Sequence, residues 1–382
     1  MGKILLLFSL FFFFNSALAQ PANCHLRISL LTCSPGEELY STFGHTALRV
    51  KDSITGTDII YNYGTFEFGA DFYTKFIKGK LLYFLSVENF NDFIYNYQAE
   101  SRSIVEQDLV LNCDETQKLL TALQTNAREE NKYYRYDFLF DNCTTRARDI
   151  VAQNTGSPVL FNNILPKDIP TFRNLIHTYL NRGGQYWSKL GIDLLLGSKL
   201  DKKVTTHQAM FLPDYLLKGF DNAIIKNRPL VTPPKGVLQM PSLLNKGSLF
   251  RPAIVFSLLL LLIVALVFIK AGWAKKTLYV FDFIWFLMLG LSGFLILFMW
   301  FGTDHMLCRN NYNLIWALPT HLPVAFVLHK NKDWIKKYLR GVFWVCIIFL
   351  ASWFFLPQYL NPSLLPVILL IIFRSWHLSQ NK

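Results

Sequence analysis

From about residue 251 onward the chain is a succession of apolar runs, near 252–270, 278–301, 312–328, 341–356 and 359–375. Runs of this length match the hydrocarbon thickness of a bilayer, and a backbone inside lipid has to satisfy its own polar groups. The sequence therefore predicts an α-helical transmembrane bundle of about five helices over 251–382. The fourth and fifth runs are short. The fifth, between Pro362 and Arg374, also suits a re-entrant or interfacial segment.

The position of the charge fixes how such a bundle would sit. The formal net charge is +12. Residues 20–250 carry 25 Lys and Arg against 23 Asp and Glu, whereas 251–382 carry 12 against 3. The excess thus belongs to the membrane part, which argues against nucleic acid as a partner. It also alternates between loops: Lys270, Lys275 and Lys276 follow the first run, and Lys330, Lys332, Lys336, Lys337 and Arg340 follow the third, while 302–311 and 357–361 hold only Arg309. Basic loops stay cytoplasmic, so the C-terminus is expected in the cytoplasm and residues 20–226 outside it. Residues 1–19, with Lys3, a Leu/Phe run and Ala17-Leu18-Ala19, read as a cleaved secretory signal and give the same orientation. Residues 227–250, with Pro229, Pro233, Pro234, Gly236, Pro241 and Gly247, read as a linker. The expected location is the inner membrane, multi-pass, with the N-terminal domain in the periplasm.

The exported domain alternates strand and helix signals. Residues 26–32 and 44–51 read as strands, and 59–63 as a strand returning on the second. A hairpin folded about residues 54 and 55 puts His45 opposite Gly64, near Asn62 and Tyr63. His45 then shares a face with Ala47, whose small side chain leaves room for a helix, and Leu48 and Val50 take the other face. Residues 66–98 interleave aromatics with Lys75, Lys78 and Lys80, a composition suited to packing with some headgroup contact. A strand is expected over 103–111, a helix over 114–128 capped by Asp114, and helical pieces over 169–181, 185–197 and 205–222. The aromatic run 136–140 reads as a short strand that breaks at Asp141-Asn142, two good N-cap residues.

Cys143 then falls on the first turn of a helix, where unpaired N–H groups and the helix dipole favour thiolate. Cys143, Ala147, Ile150 and Val151 share one helix face. A thiol at a helix start and a histidine on an earlier strand are the two halves of a cysteine nucleophile and its base. There is no Walker or GxGxxG loop, and His177 and His207 lie in no metal-ligand spacing, so no cofactor and no metal is expected. In an oxidising compartment Cys24, Cys33 and Cys113 are candidates for a disulfide, and a catalytic role requires a pairing that leaves Cys143 reduced. Cys346, inside an apolar run, reads as packing.

Histidine before cysteine, in Gly44-His45-Thr46-Ala47-Leu48 and Asp141-Asn142-Cys143-Thr144, resembles the circularly permuted NlpC/P60 group, which includes the lecithin:retinol acyltransferases. Those motifs, with Thr32-Cys33-Ser34-Pro35-Gly36, Tyr61-Asn62-Tyr63-Gly64, Phe211-Leu212-Pro213-Asp214-Tyr215 and Thr303-Asp304-His305 before further spans, resemble the Lnb-type lipoprotein N-acyltransferases of Bacteroidetes. The resemblance implies an α+β, permuted papain-like domain ahead of the bundle. It also implies transfer of a fatty acyl chain from a phospholipid, through a Cys143 thioester, to the N-terminal amine of a diacylglyceryl-cysteine apolipoprotein.

In that chemistry His45 is the base and Asn62 the first choice for the residue that orients it, ahead of Tyr61 or Tyr63. Asn142, Thr144 and Arg146 beside the thiol, Tyr63, and the outside residues Asp304, His305 and Asn313 are candidates for substrate or oxyanion contacts. His321, within the third run, suits either a cavity lining or a satisfied helix position. Two rival readings use the same residues differently. A cell-envelope cysteine peptidase or amidase keeps the Cys143–His45 pair, and in a noncatalytic membrane receptor or scaffold Cys143 is open to a disulfide.

Overall fold

The computed structural model describes residues 24–67, 69–241, 250–330 and 332–380. The expected signal segment 1–19 and residues 242–249 of the expected linker lie outside them. The exported part opens with β1 (Leu26–Cys33), β2 (His45–Asp52), β3 (Asp58–Thr65), α1 (Phe72–Lys78), β4 (Leu82–Asn89), α2 (Phe90–Ala99) and β5 (Ile104–Asp108). It continues with α3 (Cys113–Asn126), β6 (Tyr133–Arg135), α4 (Cys143–Asn154), β7 (Leu160–Phe161), α5 (Phe172–Arg182), α6 (Tyr186–Leu195) and α7 (Thr206–Ala209). α8 (Pro213–Asp221), β8 (Ala223–Ile225), β9 (Arg228–Pro229) and β10 (Lys235–Leu238) complete it.

Seven strands form one antiparallel sheet in the order β10-β5-β1-β2-β3-β4-β6, and β7, β8 and β9 form a small second sheet. The main sheet is covered on both faces, so β1 is buried along nearly its whole length rather than on alternate residues. One face, with Ile28, Leu30, Leu48, Val50, Tyr61 and Tyr63, packs on Leu119 and Leu123 of α3, Ala147, Ile150 and Val151 of α4, and Leu216 and Phe220 of α8. The other, with Leu31, Cys33, Ala47 and Ile60, packs on Phe93 and Tyr97 of α2. Each buried Leu, Ile or Phe here stabilises the fold by about 1.5–3 kcal/mol relative to exposure.

Local chemistry moves several expected boundaries. The cap of α3 is Asn112, not Asp114: Asn112 and Glu115 form a reciprocal capping box, and Asp114 lies inside the first turn. The expected helix 205–222 is two helices. Pro213 has no N–H to donate and forces Leu212 into extended backbone, so α7 ends and α8 begins anew. The aromatic residues 138–140 are a tight turn rather than a strand. Asp137 and Asp141 exchange backbone hydrogen bonds at 3.0 Å, and Asp137 Oδ1 accepts the N–H groups of Leu139 and Phe140. Part of the expected linker is also structured, since β10 adds to the free edge of β5 with Lys235 opposite Glu106.

The membrane part contains α9 (Pro252–Phe268), α10 (Gly272–Phe301), α11 (His321–Ala325), α12 (Asp333–Ala351) and α13 (Leu365–Gln380). Gly272–Phe301 and, with its leading 3-10 turn, Pro362–Gln380 are long and apolar enough to cross a bilayer, and α9 is a shorter apolar helix. The expected third span, 312–328, is not one helix. It runs as a 3-10 turn at Tyr312–Ile315, a bend, and the short α11. Pro319 and Pro323 disfavour a regular helix, and α10 supplies room: a Cβ at Gly290 would run into the backbone of Leu322, and one at Gly293 into the carbonyl of Ala317. Irregular backbone at membrane depth is tolerated when protein buries it, as here. His321 is fully buried and satisfied by Tyr338 Oη (2.8 Å) and the Trp316 carbonyl (3.2 Å). Arg374 and Asp282 pair through two hydrogen bonds of 2.6 and 2.7 Å and tie α13 to α10.

The loops expected outside do meet the exported domain. Asn361 Nδ2 donates to Asp193 Oδ2 (2.8 Å), Asn311 Nδ2 to the Leu194 carbonyl (2.7 Å), and Gly197 N to the Leu307 carbonyl (2.8 Å). Asp193 is itself buried against Arg173 (2.7 Å) and His177 (2.8 Å). One polar cluster therefore fastens α5 and α6 to the outer end of the bundle.

Candidate active site

Cys143 is the first residue of α4, and its position follows from Asn142. Asn142 Oδ1 accepts the N–H groups of Thr144 and Thr145, both at 2.9 Å, while its Nδ2 donates to the carbonyls of Phe138 (2.8 Å) and Phe211 (2.9 Å). The side chain is thus a cap and a brace with every polar position used, which leaves it no donor for an oxyanion. The Asn142 carbonyl accepts Arg146 N. Among the described residues, the donor of this turn without an internal partner is the N–H of Cys143 itself.

β2 and β3 pair with Leu48 opposite Tyr61, so the same register continued places His45 opposite Gly64, as the hairpin reading expects. The helix that Ala47 admits is α2, whereas α4 lies on the Leu48 and Val50 face. Thiol and imidazole therefore meet at the end of the hairpin, over Gly64. This residue has φ of +93°, and a Cβ there would stand 3.4 Å from Cys143 Cβ and 3.8 Å from His45 Cε1. A side chain at 64 would be strained and would occupy the space between the pair. Gly44 is similarly constrained, with φ of +80° and the Cys33 carbonyl 2.7 Å from where a Cβ would be.

His45 Nε2–H donates to Asn62 Oδ1 at 2.6 Å, and Asn62 Nδ2 donates to Glu88 Oε1 at 2.8 Å. The amide is thereby held with its oxygen toward the ring, which fixes the tautomer and leaves Nδ1 for the thiol. Burial alone would raise the Cys143 pKa, but the charge and hydrogen bond of His45, the Thr46 N–H and the Thr144 hydroxyl bring it from 9.0 to about 7. Burial alone would lower that of His45; the Cys143 charge and hydrogen bond, with the Asn62 hydrogen bond, leave it raised. Each group stabilises the ion of the other. Thr144 Oγ1 lies 3.7 Å from the sulfur and 3.2 Å from Thr46 Oγ1, so it steadies the thiol.

Tyr134 is a site residue to which the sequence does not point. Its hydroxyl is buried without a hydrogen-bond partner among the described residues and lies 4.0 Å from the Cβ position at Gly64, beside the pair. Its ring is clamped by the Arg146 guanidinium, 3.6 Å from the centroid, and by Tyr63 edge-on. Arg146 is in turn held by Asp141 through hydrogen bonds of 2.6 and 2.8 Å. Sequence reasoning misses Tyr134 and Glu88 because both arrive by distant pairing, β6 with β4 and β4 with β3.

Other expected residues take structural places. Tyr63 points to the face opposite His45 and accepts a hydrogen bond from Asn126 Nδ2 (2.9 Å), so it does not orient the imidazole; Tyr61 shares that face. Asn313 is fully buried and bonds the Asp193 and Leu194 carbonyls and Trp316 Nε1. The backbone N–H of Asp304 donates to the Lys78 carbonyl (3.0 Å) and His305 Nε2 to the Phe76 carbonyl (3.0 Å), while the Asp304 carboxylate stands 3.6 Å from Arg135. A cleft of about 680 Å³ between α3 and α4 is lined by Gln117, Thr121, Asn126, Arg146 and Asn154, and the thiol is not in its lining. Among the cysteines, Cys33 is buried beside Tyr97 with its thiol pushed up to about 12, whereas Cys24 and Cys113 are hydrogen-bonded neighbours. No group of three or more His, Cys, Asp or Glu that could hold a metal occurs among the described residues.

The sequence also matches known families. The Lnb N-terminal periplasmic domain matches residues 14–178, and the Lnb transmembrane domain matches residues 244–381. No curated protein and no solved structure matches the chain. With both halves matched in order, and with the polar loops of the bundle fastened to the sheet domain, the chain belongs to the Lnb family as an inner-membrane protein with a periplasmic N-terminal domain.

Proposed function

We propose that the chain is a lipoprotein N-acyltransferase with Cys143 as nucleophile. The observation that carries this reading is the coupled array Cys143–His45–Asn62 in a domain fastened to the outer end of a membrane bundle. The Cys143 thiolate attacks the carbonyl of a phospholipid acyl ester. His45, protonated by the thiol, gives its proton to the departing lysophospholipid oxygen. The neutral amine of a diacylglyceryl-cysteine then attacks the thioester, His45 takes the amine proton, and thiolate leaves. The oxyanion of both tetrahedral intermediates is met by the Cys143 N–H and the Tyr134 hydroxyl, donors already in place before reaction. The histidine strand preceding the cysteine helix, with the sheet between α2 and α4, also supports reading the domain as a permuted NlpC/P60-like fold.

Both substrates are lipid-held, so one bilayer surface delivers donor and acceptor to one thiol and replaces a diffusional search by proximity. The test is mass spectrometry of lipoprotein N-termini from cells with the chain and from cells with Cys143→Ala. The reading expects loss of the N-linked acyl chain in the variant. Fully acylated lipoproteins in that variant, or hydrolysis of cell-wall peptides by the purified protein without N-acylation, would overturn it.

A further inference from the structure

α1 has no buried residue, and its exposed side chains are those a soluble surface avoids: Tyr73 is 72%, Phe76 52% and Ile77 46% exposed. Lys75, Lys78 and Lys80 stand among them. The sequence leads one to expect mostly packing here, yet the structure leaves the helix outward. Its height relative to the bilayer is fixed by the bundle. Beyond Lys275 and Lys276, which mark its cytoplasmic end, α10 runs on from Thr277 to Phe301, roughly 37 Å at 1.5 Å per residue, which exceeds the ~30 Å hydrocarbon core and carries its outer end into the headgroup layer. The loop after Phe301 is fastened directly to α1, with Asp304 N on the Lys78 carbonyl and His305 on the Phe76 carbonyl. Gly79, at φ of +69°, allows that contact, because a Cβ would come within 3.3 Å of the Asp304–His305 peptide.

A chain of aromatic rings leads from this helix inward. Phe76 stacks on Phe72 (6.1 Å between centroids), Phe72 on Phe66 (5.7 Å), Phe66 meets Tyr83 (5.2 Å), and Tyr83 stacks on Tyr136 (4.2 Å). Tyr136 packs in the same cluster as Cys143. We propose that α1 lies in the outer-leaflet interface and that the ring path from Phe76 to Tyr136 is the binding track for the acyl chain of a bilayer phospholipid on its way to Cys143. Lys78 and Lys80, which form no ion pair among the described residues, face the phosphate layer. The proposal deepens the acyltransferase reading by naming where its lipid donor is held. Basic residues beside exposed aromatics at headgroup depth are the arrangement an interfacial helix uses.

The test uses full-length protein in vesicles of phosphatidylethanolamine and phosphatidylglycerol containing a phospholipid with a photoactivatable diazirine in its acyl tail. Adducts are expected on peptides covering 66–78 and 136–143; adducts confined to α9–α13 would overturn the proposal. A second arm compares Phe72→Ser and Phe76→Ser with unaltered protein. Cys143 acylation from vesicle phospholipid should fall about tenfold more than acylation from a short water-soluble thioester. Equal losses would make the rings merely structural, and equal retention would place the donor elsewhere; either result overturns the track. Should unaltered protein react with neither donor while crosslinks still map to 66–78, the thiol reading fails and the lipid track stands.

Discussion

The Cys143 thiol owes its lowered pKa to His45 more than to any other neighbour. Burial opposes the thiolate, and the imidazole overcomes that opposition, so the sulfur titrates near 7 rather than 9.0. Thiolate is the reacting form, so alkylation by iodoacetamide should rise with pH to a midpoint near 7. His45→Ala removes the two largest lowering contributions and leaves burial, so the midpoint should move up to 9.0 or beyond. An unmoved midpoint would separate the two residues. Tyr134→Phe tests a different atom. Its hydroxyl has no partner to lose among the described residues, so the melting temperature should hold or rise while turnover falls roughly 10²–10³-fold, the range for one oxyanion donor. A stability loss without a rate loss would return Tyr134 to packing.

At the element scale, the pair is set by one hairpin register and one helix cap. Both are legible in the sequence: folding about residues 54 and 55 sets His45 against Gly64 beside Asn62, and Asn142 starts a helix before the thiol. What lies beyond them depends on long-range pairing. Glu88 reaches Asn62 only once β4 pairs β3, and Tyr134 comes beside Gly64 only through the three-residue β6. The irregular third membrane segment is hidden for a related reason, since hydropathy records the apolar run and not the close backbone approach that Gly290 and Gly293 permit. A testable consequence concerns the other cysteines. Cys24 precedes β1 and Cys113 opens α3 as its hydrogen-bonded neighbour, while Cys33 is buried beside Tyr97. Peptide mapping of periplasm-exported protein without reductant should find Cys24 joined to Cys113, with Cys33 and Cys143 reduced. A disulfide to Cys143 would contradict the catalytic assignment.

At the scale of the whole molecule, the topology is written in the distribution of lysine and arginine, because the two poorly charged loops are the ones that grip the sheet domain. The identity of that grip is not legible. Asn311, Asn313, Gln358 and Asn361 are ordinary loop residues until α6 is folded against them, at which point Asp193 joins Arg173, His177 and Asn361 in one buried cluster. Asp193→Ala leaves the Arg173 charge less compensated and should destabilise the protein by about 3–5 kcal/mol, read as a lowered melting temperature in detergent micelles. A change below about 1 kcal/mol would mean that the cluster does not hold the two parts together.

The central claim is that Cys143 carries an acyl chain between two membrane-held partners. It is tested most directly by intact-protein mass spectrometry after incubation in phospholipid vesicles. The protein should gain the mass of one fatty acyl group on Cys143, and hydroxylamine at neutral pH or a diacylglyceryl-cysteine peptide should remove it. Acylation of such a peptide at an undiminished rate by Cys143→Ala protein would contradict the account.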